Sequence, residues 1–378
     1  MKKILAVILS VSLAAAGLAG CGSGSSATAT TAAPDQAAGA GNGTGAGSSN
    51  ASGGTAQASG AGEAAGGGEA SAGEGLRYED TRFISMYTSS PGGDMYNMAA
   101  AIAPFWESEL NVVASIGPGG SFSNYKAISN GECTIGFDHQ CMHYWGERAE
   151  GPFEETYDGV SYMMILFPAT VQCFSTDKNL SVQQISDIGD KRVGFGAVGS
   201  ALNVFLEDYL EAMYQITPES IVANGGSISY MSDSEMSAAM ADGTIDVGFA
   251  LGTYPKTSLQ ELENSPGLRL IRFGEDLDKY LETNPGWGKF SIPAGTYAGQ
   301  EEDYETATSW AIMSVASDLD EELVYRLTRV AWENIQAEGE ACAAIRNFMK
   351  LEDTLKPMGG AALHPGAERY YKEIGLLK

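Results

Sequence analysis

Residues 192–211 read RVGFGAVGSALNVFLEDYLE, which predicts a short strand, a glycine-rich turn and a helix. Gly194, Gly196 and Gly199 have the G-x-G-x-x-G spacing of a dinucleotide-binding turn. Glycines let the backbone turn sharply, and the first N–H groups of the following helix have no partner within the helix. The stretch therefore predicts an α/β junction whose helix N-terminus favours an anionic group.

A nicotinamide cofactor is not expected at this turn. Such a site needs an Asp or Glu at the end of the next strand, about 20 residues on, to hold the ribose. The next predicted strand is SIVANGG (220–226), which ends without an acid, and Glu219 precedes it. The predicted extracytoplasmic location also argues against a soluble dinucleotide, so we predict no cofactor.

Two further junctions repeat the design of strand, Gly with Ser or Thr, and helix. FISMYT (83–88) is followed by SSPGGD, and NVVASIG (111–117) is followed by PGGSFSN. Because ligands bind at the carboxyl ends of the strands in open α/β sheets, the three junctions predict one cleft for a small anion.

The rest of the pattern also alternates between strands and helices. Apolar or β-prone runs cover 133–138, 160–175 and 244–252, with helical runs between them. This alternation predicts an α/β fold with largely parallel sheets.

The N-terminus predicts export and lipid anchoring. Lys2 and Lys3 precede an apolar run that is too short to be read as a membrane-spanning helix. The run ends in Leu-Ala-Gly-Cys, which resembles a bacterial lipobox, so we predict a signal peptide over 1–20 and lipidation of Cys21. The alternative is an ordinary cleaved signal with an incidental cysteine.

Residues 21–79 are predicted to form a disordered tether. The segment 22–75 contains no aromatic residue, no Lys or Arg, and no aliphatic residue larger than Ala. Such a composition cannot bury enough apolar surface to offset the entropy of ordering. The tether would link a lipid anchor on the outer face of the bacterial cell membrane to a folded domain.

The acidity of the chain limits its partners. The sequence has 48 acidic and 22 basic residues, a net charge of −26, and the loss of Lys2 and Lys3 with the signal would make it −28. This charge disfavours nucleic acid and anionic bilayers, so we predict no nucleic-acid partner and membrane contact through the lipid only. An anion site would have to be built locally.

Several motifs resemble one family. They are SSPGG followed by Tyr96, GPGGSFSN before a helix ending in SNGE, a strand ending in GFD, DLDEELVYRLTRVAWEN (318–334) and LHPGAERYYKEIGL (363–376). In this order they resemble the TAXI group of extracytoplasmic solute receptors for TRAP transporters. The resemblance covers 82–378, and its last two motifs are specific.

The resemblance implies a two-lobed, type II periplasmic-binding-protein-like fold with a hinge and an interlobe cleft. We expect lobe 1 to comprise 80–168 and 291–378, and lobe 2 to comprise 169–290. The implied function is that of a receptor, not an enzyme. It would capture a small organic anion or amino acid, glutamate-like or dicarboxylate, by lobe closure and deliver it to a TRAP-type permease.

The resemblance also places the ligand-binding candidates in the loops between strands and helices. They would offer neutral hydrogen bonds and one aromatic wall. The candidates are Thr88, Ser89, Gly92, Tyr96, Ser121, Asn124, His139, Gln140, Gly199, Ser200, Thr253 and Tyr254.

Asp94 and Asp138 depart from the family pattern. A carboxylate near the cleft would favour an ammonium group, and so an amino acid over a plain diacid. If both side chains face solvent, which is the expectation here, no such preference follows.

The segment DHQCMH (138–143) suggests an alternative function as a metal-binding lipoprotein. His139 and His143 would share a helix face, with Asp138 and Cys141 adjacent. No other segment supplies a further ligand at zinc spacing, so we predict no metal.

The sequence has no G-x-S-x-G or H-E-x-x-H motif and only three histidines, which argues against catalysis. Cys133 and Cys141 are close enough to pair, but their spacing does not decide it.

Overall fold

The computed structural model describes residues 77–79, 81–264, 266–356 and 358–378. The predicted signal peptide, Cys21 and nearly all of the predicted tether lie outside these residues. Within them, no helix combines the length and the apolar character that crossing a bilayer requires.

The strands of the described residues form one mixed sheet. Their bounds are β1 Phe83–Tyr87, β2 Val113–Gly117, β3 Ile135–His139, β4 Val160–Ser175, β5 Arg192–Phe195, β6 Ser227–Tyr230, β7 Val247–Gly252, β8 Arg269–Leu270, β9 Gly288–Ile292 and β10 Tyr304–Ala316.

The α-helices α1 to α8 lie between these strands along the chain, and α9 to α12 follow β10. They are α1 Asp94–Leu110, α2 Ser121–Ser129, α3 Gln140–Gly146, α4 Ala201–Tyr214, α5 Pro218–Ala223, α6 Asp233–Ala241, α7 Thr257–Glu263, α8 Asp276–Leu281, α9 Glu321–Glu333, α10 Ile335–Ala341, α11 Ala343–Phe348 and α12 Pro365–Glu373. The predicted α/β class is therefore confirmed.

The sheet repeats one strand order twice. The first half, β1 to β3 with α1 to α3, has the order β2-β1-β3 and then β10. The second half, β5 to β7 with α4 to α7, has the order β6-β5-β7 and then β4. The three strands within each half are parallel, whereas β10 and β4 run antiparallel to their neighbours. The prediction of largely parallel sheets thus holds inside each half and fails where the halves meet.

Two long strands join the halves. Every residue of β4 is buried, as its nearly uninterrupted apolar sequence requires. It pairs antiparallel with β10, from Val160 opposite Ala316 to Thr170 opposite Thr308. The chain therefore passes from one half to the other through the centre of the sheet.

One predicted strand is wrong. The segment SIVANGG (220–226) contributes to helix α5, and the next strand, β6, starts only at Ser227. Thr217 caps this helix by accepting the N–H of Ser220, and Pro218 occupies its first turn. This capping outweighs the β propensity of Ile221 and Val222.

The corrected strand changes one argument about the glycine-rich turn. The strand that follows the turn is β6, and Asp233 lies three residues after its end. An acid therefore does stand near the end of the next strand, contrary to the expectation. Asp233 is engaged in an ion pair with Lys256, described below.

Candidate functional site

A cavity of about 390 Å³ lies where the three predicted junctions meet. The loops after β1, β2 and β5 all contribute to its wall, together with the loops after β6 and β7. Phe167 of β4 and Leu251 of β7 add apolar surface. The convergence follows from the topology, because the parallel strands of each half end at this edge.

The N-terminal residues of five helices line the cavity: Asp94 of α1, Ser121 of α2, Ala201 of α4, Asp233 of α6 and Thr257 of α7. The N-cap residues Gly93, Gly120 and Ser200 make no side-chain cap to α1, α2 and α4, and in the first turn of α1 the hydroxyl of Ser89 accepts the N–H of Tyr96. At α2 and α4, whose first residues are uncharged, the free N–H groups and the helix dipoles therefore favour an anion without a cationic side chain.

Backbone groups of the two halves approach each other at the glycine turns. A Cβ placed on Gly120 would lie 3.3 Å from the carbonyl oxygen of Gly199, so a glycine permits the contact. Gly199 itself has a φ of +80°, in the region that favours glycine. The second and third junctions thus meet across the cavity.

Asn124 holds the backbone at the first two junctions in place. It is fully buried, and its Nδ2 donates to the carbonyl oxygens of Tyr87, Thr88 and Phe137, at 3.1, 2.7 and 2.7 Å. These carbonyls belong to the ends of β1 and β3. Asn124 therefore positions the loops without lining the cavity.

His139 is a buried polar residue of the first half that lines the cavity. Its Nδ1 is 2.7 Å from the hydroxyl of Ser121. Burial, with a smaller effect of the Lys256 ammonium, lowers the pKa of His139 to about 3. The imidazole is therefore neutral at physiological pH.

A charged cluster occupies the opposite side of the cavity. The Nζ of Lys256 is 2.8 Å from Asp233 and 3.4 Å from Asp94. Asp94 Oδ2 also accepts the backbone N–H and the hydroxyl of Thr253, both at 3.1 Å. Glu261 lines the cavity as well, so the carboxylates outnumber the ammonium group.

The pKa shifts of Lys256 and Asp94 agree with an ion pair between them. Burial alone would lower the pKa of Lys256, but the carboxylates of Asp233 and Asp94 raise it above its ordinary value. Burial alone would raise the pKa of Asp94, but Lys256 and the two bonds from Thr253 together lower it. Lys256 is therefore protonated and Asp94 is deprotonated.

Six of the twelve predicted ligand-binding residues line the cavity: Thr88, Ser89, Gly92, Ser121, His139 and Ser200. The other six, Tyr96, Asn124, Gln140, Gly199, Thr253 and Tyr254, lie outside its lining. Thr253 lines a neighbouring cavity of about 410 Å³, and the Tyr254 ring packs against Phe290 and Phe348.

The expectation that Asp94 and Asp138 both face solvent is wrong. Asp94 lines the cavity, and Asp138 is fully buried on the other side of β3. Asp138 Oδ1 accepts the hydroxyl of Ser314 at 3.0 Å and lies 3.5 Å from His143 Nε2. Burial raises the pKa of Asp138 despite the opposing effect of His143.

The segment DHQCMH does not form a metal site. His139 ends β3 and precedes α3, so it does not share a helix face with His143. His139 lies in the cavity wall, whereas His143 is buried beside Asp138 and Cys141 is a buried free thiol. Among the described residues, no group of three His, Cys, Asp or Glu side chains could hold a metal ion. Cys133 is likewise free, so it is not paired with Cys141.

Sequence reasoning missed Lys256, Asp233 and Glu261. Lys256 follows the predicted Thr253-Tyr254 loop at the carboxyl end of β7, and Asp233 follows β6. The rule that ligands bind at strand ends points to Lys256 after β7, and it would also have pointed to Asp233 if β6 had been placed correctly.

The profile of the NMT1-like family matches residues 86–375, which covers both halves of the sheet and all five loops of the cavity. The chain belongs to the NMT1-like family. The type II periplasmic-binding-protein-like α/β fold predicted from the sequence is confirmed, and the repeated strand order is its structural basis.

Solved structures of solute-binding proteins are similar to this NMT1-like chain at low identity. An ancestral arginine-binding protein bound to arginine is 13% identical, with a TM-score of 0.40 over 71% of this chain and 98% of that chain. The amino acid ABC transporter substrate-binding protein AbpA from Streptococcus pneumoniae, bound to L-arginine, is 11% identical, with a TM-score of 0.41 over 71% and 96%. A putative L-cystine ABC transporter protein from Listeria monocytogenes is 11% identical, with a TM-score of 0.44 over 71% and 99%.

Proposed function

We propose that this NMT1-like protein is an extracytoplasmic receptor that captures a small amino acid or organic anion between two lobes. The observation that carries the proposal is that the N-terminal residues of five helices line one cavity of about 390 Å³. Such helix ends bind a carboxylate without a cationic side chain. A net charge of −26 makes this local construction necessary.

The charged cluster favours an amino acid over a plain dicarboxylate. Asp94, Asp233 and Glu261 line the same cavity as a single ammonium group, that of Lys256. A ligand ammonium would gain from this excess of carboxylates, whereas a second ligand carboxylate would be repelled unless it reached Lys256 or a helix end. A glutamate-like ligand would place its α-carboxylate at the N-termini of α2 and α4 and its ammonium near Asp94 or Asp233.

The lobes would be 80–168 with 291–378, and 169–290. The first proposed boundary lies within β4, and the second lies within β9, which pairs with β10. The chain passes between the halves of the sheet through the long strands β4 and β10. Rotation of the halves about these strands would open and close the cavity.

The delivery partner would be a TRAP-type permease, as the resemblance of the sequence motifs to the TAXI group implies. A lipid on Cys21 and a tether of about 55 residues would keep the receptor near that permease on the outer face of the cell membrane. The role is binding, not catalysis. The metal-binding alternative receives no support from the separated Asp138, His139, Cys141 and His143.

Calorimetry on the full chain tests the proposal. L-glutamate and other amino acids should bind more tightly than glutarate or 2-oxoglutarate, which lack the ammonium group. The variant Ser121→Leu/Ser200→Leu should abolish binding, because both side chains line the cavity.

The control variant Ser108→Leu/Ser227→Leu changes one exposed serine in each half, away from the cavity, and should bind normally. If the cavity variant binds like the control, the cleft assignment fails. If diacids bind as well as amino acids, the role given to the charged cluster fails while the receptor proposal stands.

A further inference from the structure

The charged cluster connects the two halves of the sheet. Asp94 begins α1 in the first half, whereas Thr253 and Lys256 follow β7 in the second half. One carboxylate oxygen, Asp94 Oδ2, accepts three donors from the second half: the backbone N–H and hydroxyl of Thr253 and the ammonium of Lys256. A single side chain thus carries three charge-assisted contacts between the halves.

The ammonium of Lys256 is satisfied entirely by protein groups. Its three N–H donors face Asp233 at 2.8 Å, the carbonyl oxygen of Leu251 at 3.3 Å and Asp94 at 3.4 Å. The side chain is only 7% exposed. Because all three donors have acceptors, Lys256 makes these contacts without help from a solute.

The local backbone is built to allow this meeting. A Cβ on Gly252 would lie 2.6 Å from Asp94 Oδ2 and 2.5 Å from Lys256 Nζ, so any other residue would separate the ions. The hydroxyl of Tyr297 accepts the N–H of Lys256 at 2.8 Å and holds the start of α7. The loop is therefore positioned independently of Asp94.

The cluster also forms the wall between two cavities. Asp94, Asn97 and Thr257 line both the 390 Å³ cavity and the neighbouring 410 Å³ cavity. If Asp94 parted from Thr253 and Lys256, the two spaces would join.

We propose that Asp94, Thr253 and Lys256 form a charged latch that stabilises the closed arrangement of the two halves before a solute binds. The inference rests on the proposed two-lobed motion but not on the identity of the solute. A latch of this kind raises the closed fraction of the free receptor. The apparent dissociation constant equals the intrinsic one divided by that fraction, so the latch tightens binding in addition to any contact that Asp94 makes with the solute.

Hydrogen exchange of the full chain without solute, read by mass spectrometry, tests the latch. The segment 253–257 reports on the latch itself. The segments 117–124 and 196–200 report on the other contact between the halves, where Gly120 meets Gly199 and Asp94 takes no part.

In Asp94→Asn, exchange should accelerate about tenfold in all three segments, because charge-assisted bonds become neutral ones and the closed state is less populated. Thr253→Val, which removes one of the three donors and lies outside the main cavity, should accelerate the same segments less. Asp318→Asn removes an exposed carboxylate in another part of the chain and should leave exchange unchanged.

A combined Asp94→Asn/Lys256→Met variant should accelerate exchange less than the sum of the two single effects, because the residues act as a pair. The latch is refuted if exchange accelerates only in 253–257, since Asp94 would then order the loop after β7 without holding the two halves together. Unchanged exchange in all segments refutes it as well. Neither result depends on whether the receptor binds an amino acid.

Discussion

Glu338 should make the stability of this protein fall as the pH rises. The residue lies in α10, is fully buried, and neither of its carboxylate oxygens has a hydrogen-bond partner. Burial raises the pKa of its carboxyl from 4.5 to about 8. The folded protein therefore keeps a proton on Glu338 at pH values where the unfolded chain has lost it.

The sign and size of the effect follow from this difference. Between pH 4.5 and about 8 the folded state binds more protons, so the free energy of unfolding decreases as the pH rises through that window. At 1.36 kcal/mol per pH unit the loss is about 3 kcal/mol at pH 7 and about 5 kcal/mol above pH 8. Below pH 4.5 the carboxyl is neutral in both states and costs nothing electrostatic.

The variant Glu338→Gln removes the titration while keeping the shape of the side chain. In urea unfolding of the full chain at several pH values, the free energy of unfolding of the variant should rise relative to that of the wild type by about 3 kcal/mol between acid and neutral pH. Glu340→Gln, which changes an exposed carboxylate on the same helix, should show a constant difference. A pH-independent difference for Glu338→Gln would refute the reasoning.

Three further predictions concern His139, which lines the cavity, and Asn124, which positions its loops. The pKa of His139 is lowered to about 3, so its imidazole is neutral at physiological pH. The affinity for a solute, measured by calorimetry, should therefore not change as the pH passes through 6.5. A change of affinity near pH 6.5 that disappears in His139→Asn would contradict this prediction. By the same shift, the free energy of unfolding should drop as the pH falls from 6.5 to about 3, and His139→Asn should flatten that drop in acid unfolding curves. Asn124→Ala should lower the free energy of unfolding, measured with urea, by about 2–3 kcal/mol, because buried carbonyl oxygens lose their donor. The control Asn130→Ala, at the exposed end of α2, should lower it by less than half of that amount.

The local chemistry of the chain was readable from its sequence. Strands β4 and β7, helix α4 and the three glycine junctions follow from apolar periodicity and from the backbone freedom of glycine, which depend on near neighbours. The convergence of the junctions followed from one general rule about parallel strands. The strand predicted over 220–226 failed because the capping of α5 by Thr217 outweighed the propensity of the residues that follow.

The tertiary structure decided where side chains of opposite charge meet. Asp94 and Lys256 are far apart in sequence, and no periodicity relates them, so only the packing of α1 against the loop after β7 shows that they share a cavity. Asp138 and His139 are adjacent, yet β alternation sends one into the core and the other to the cavity wall. Sequence thus determined which segments form the site, because that depends on local backbone preferences. The charges within it depend on distances between separate segments, which folding alone sets.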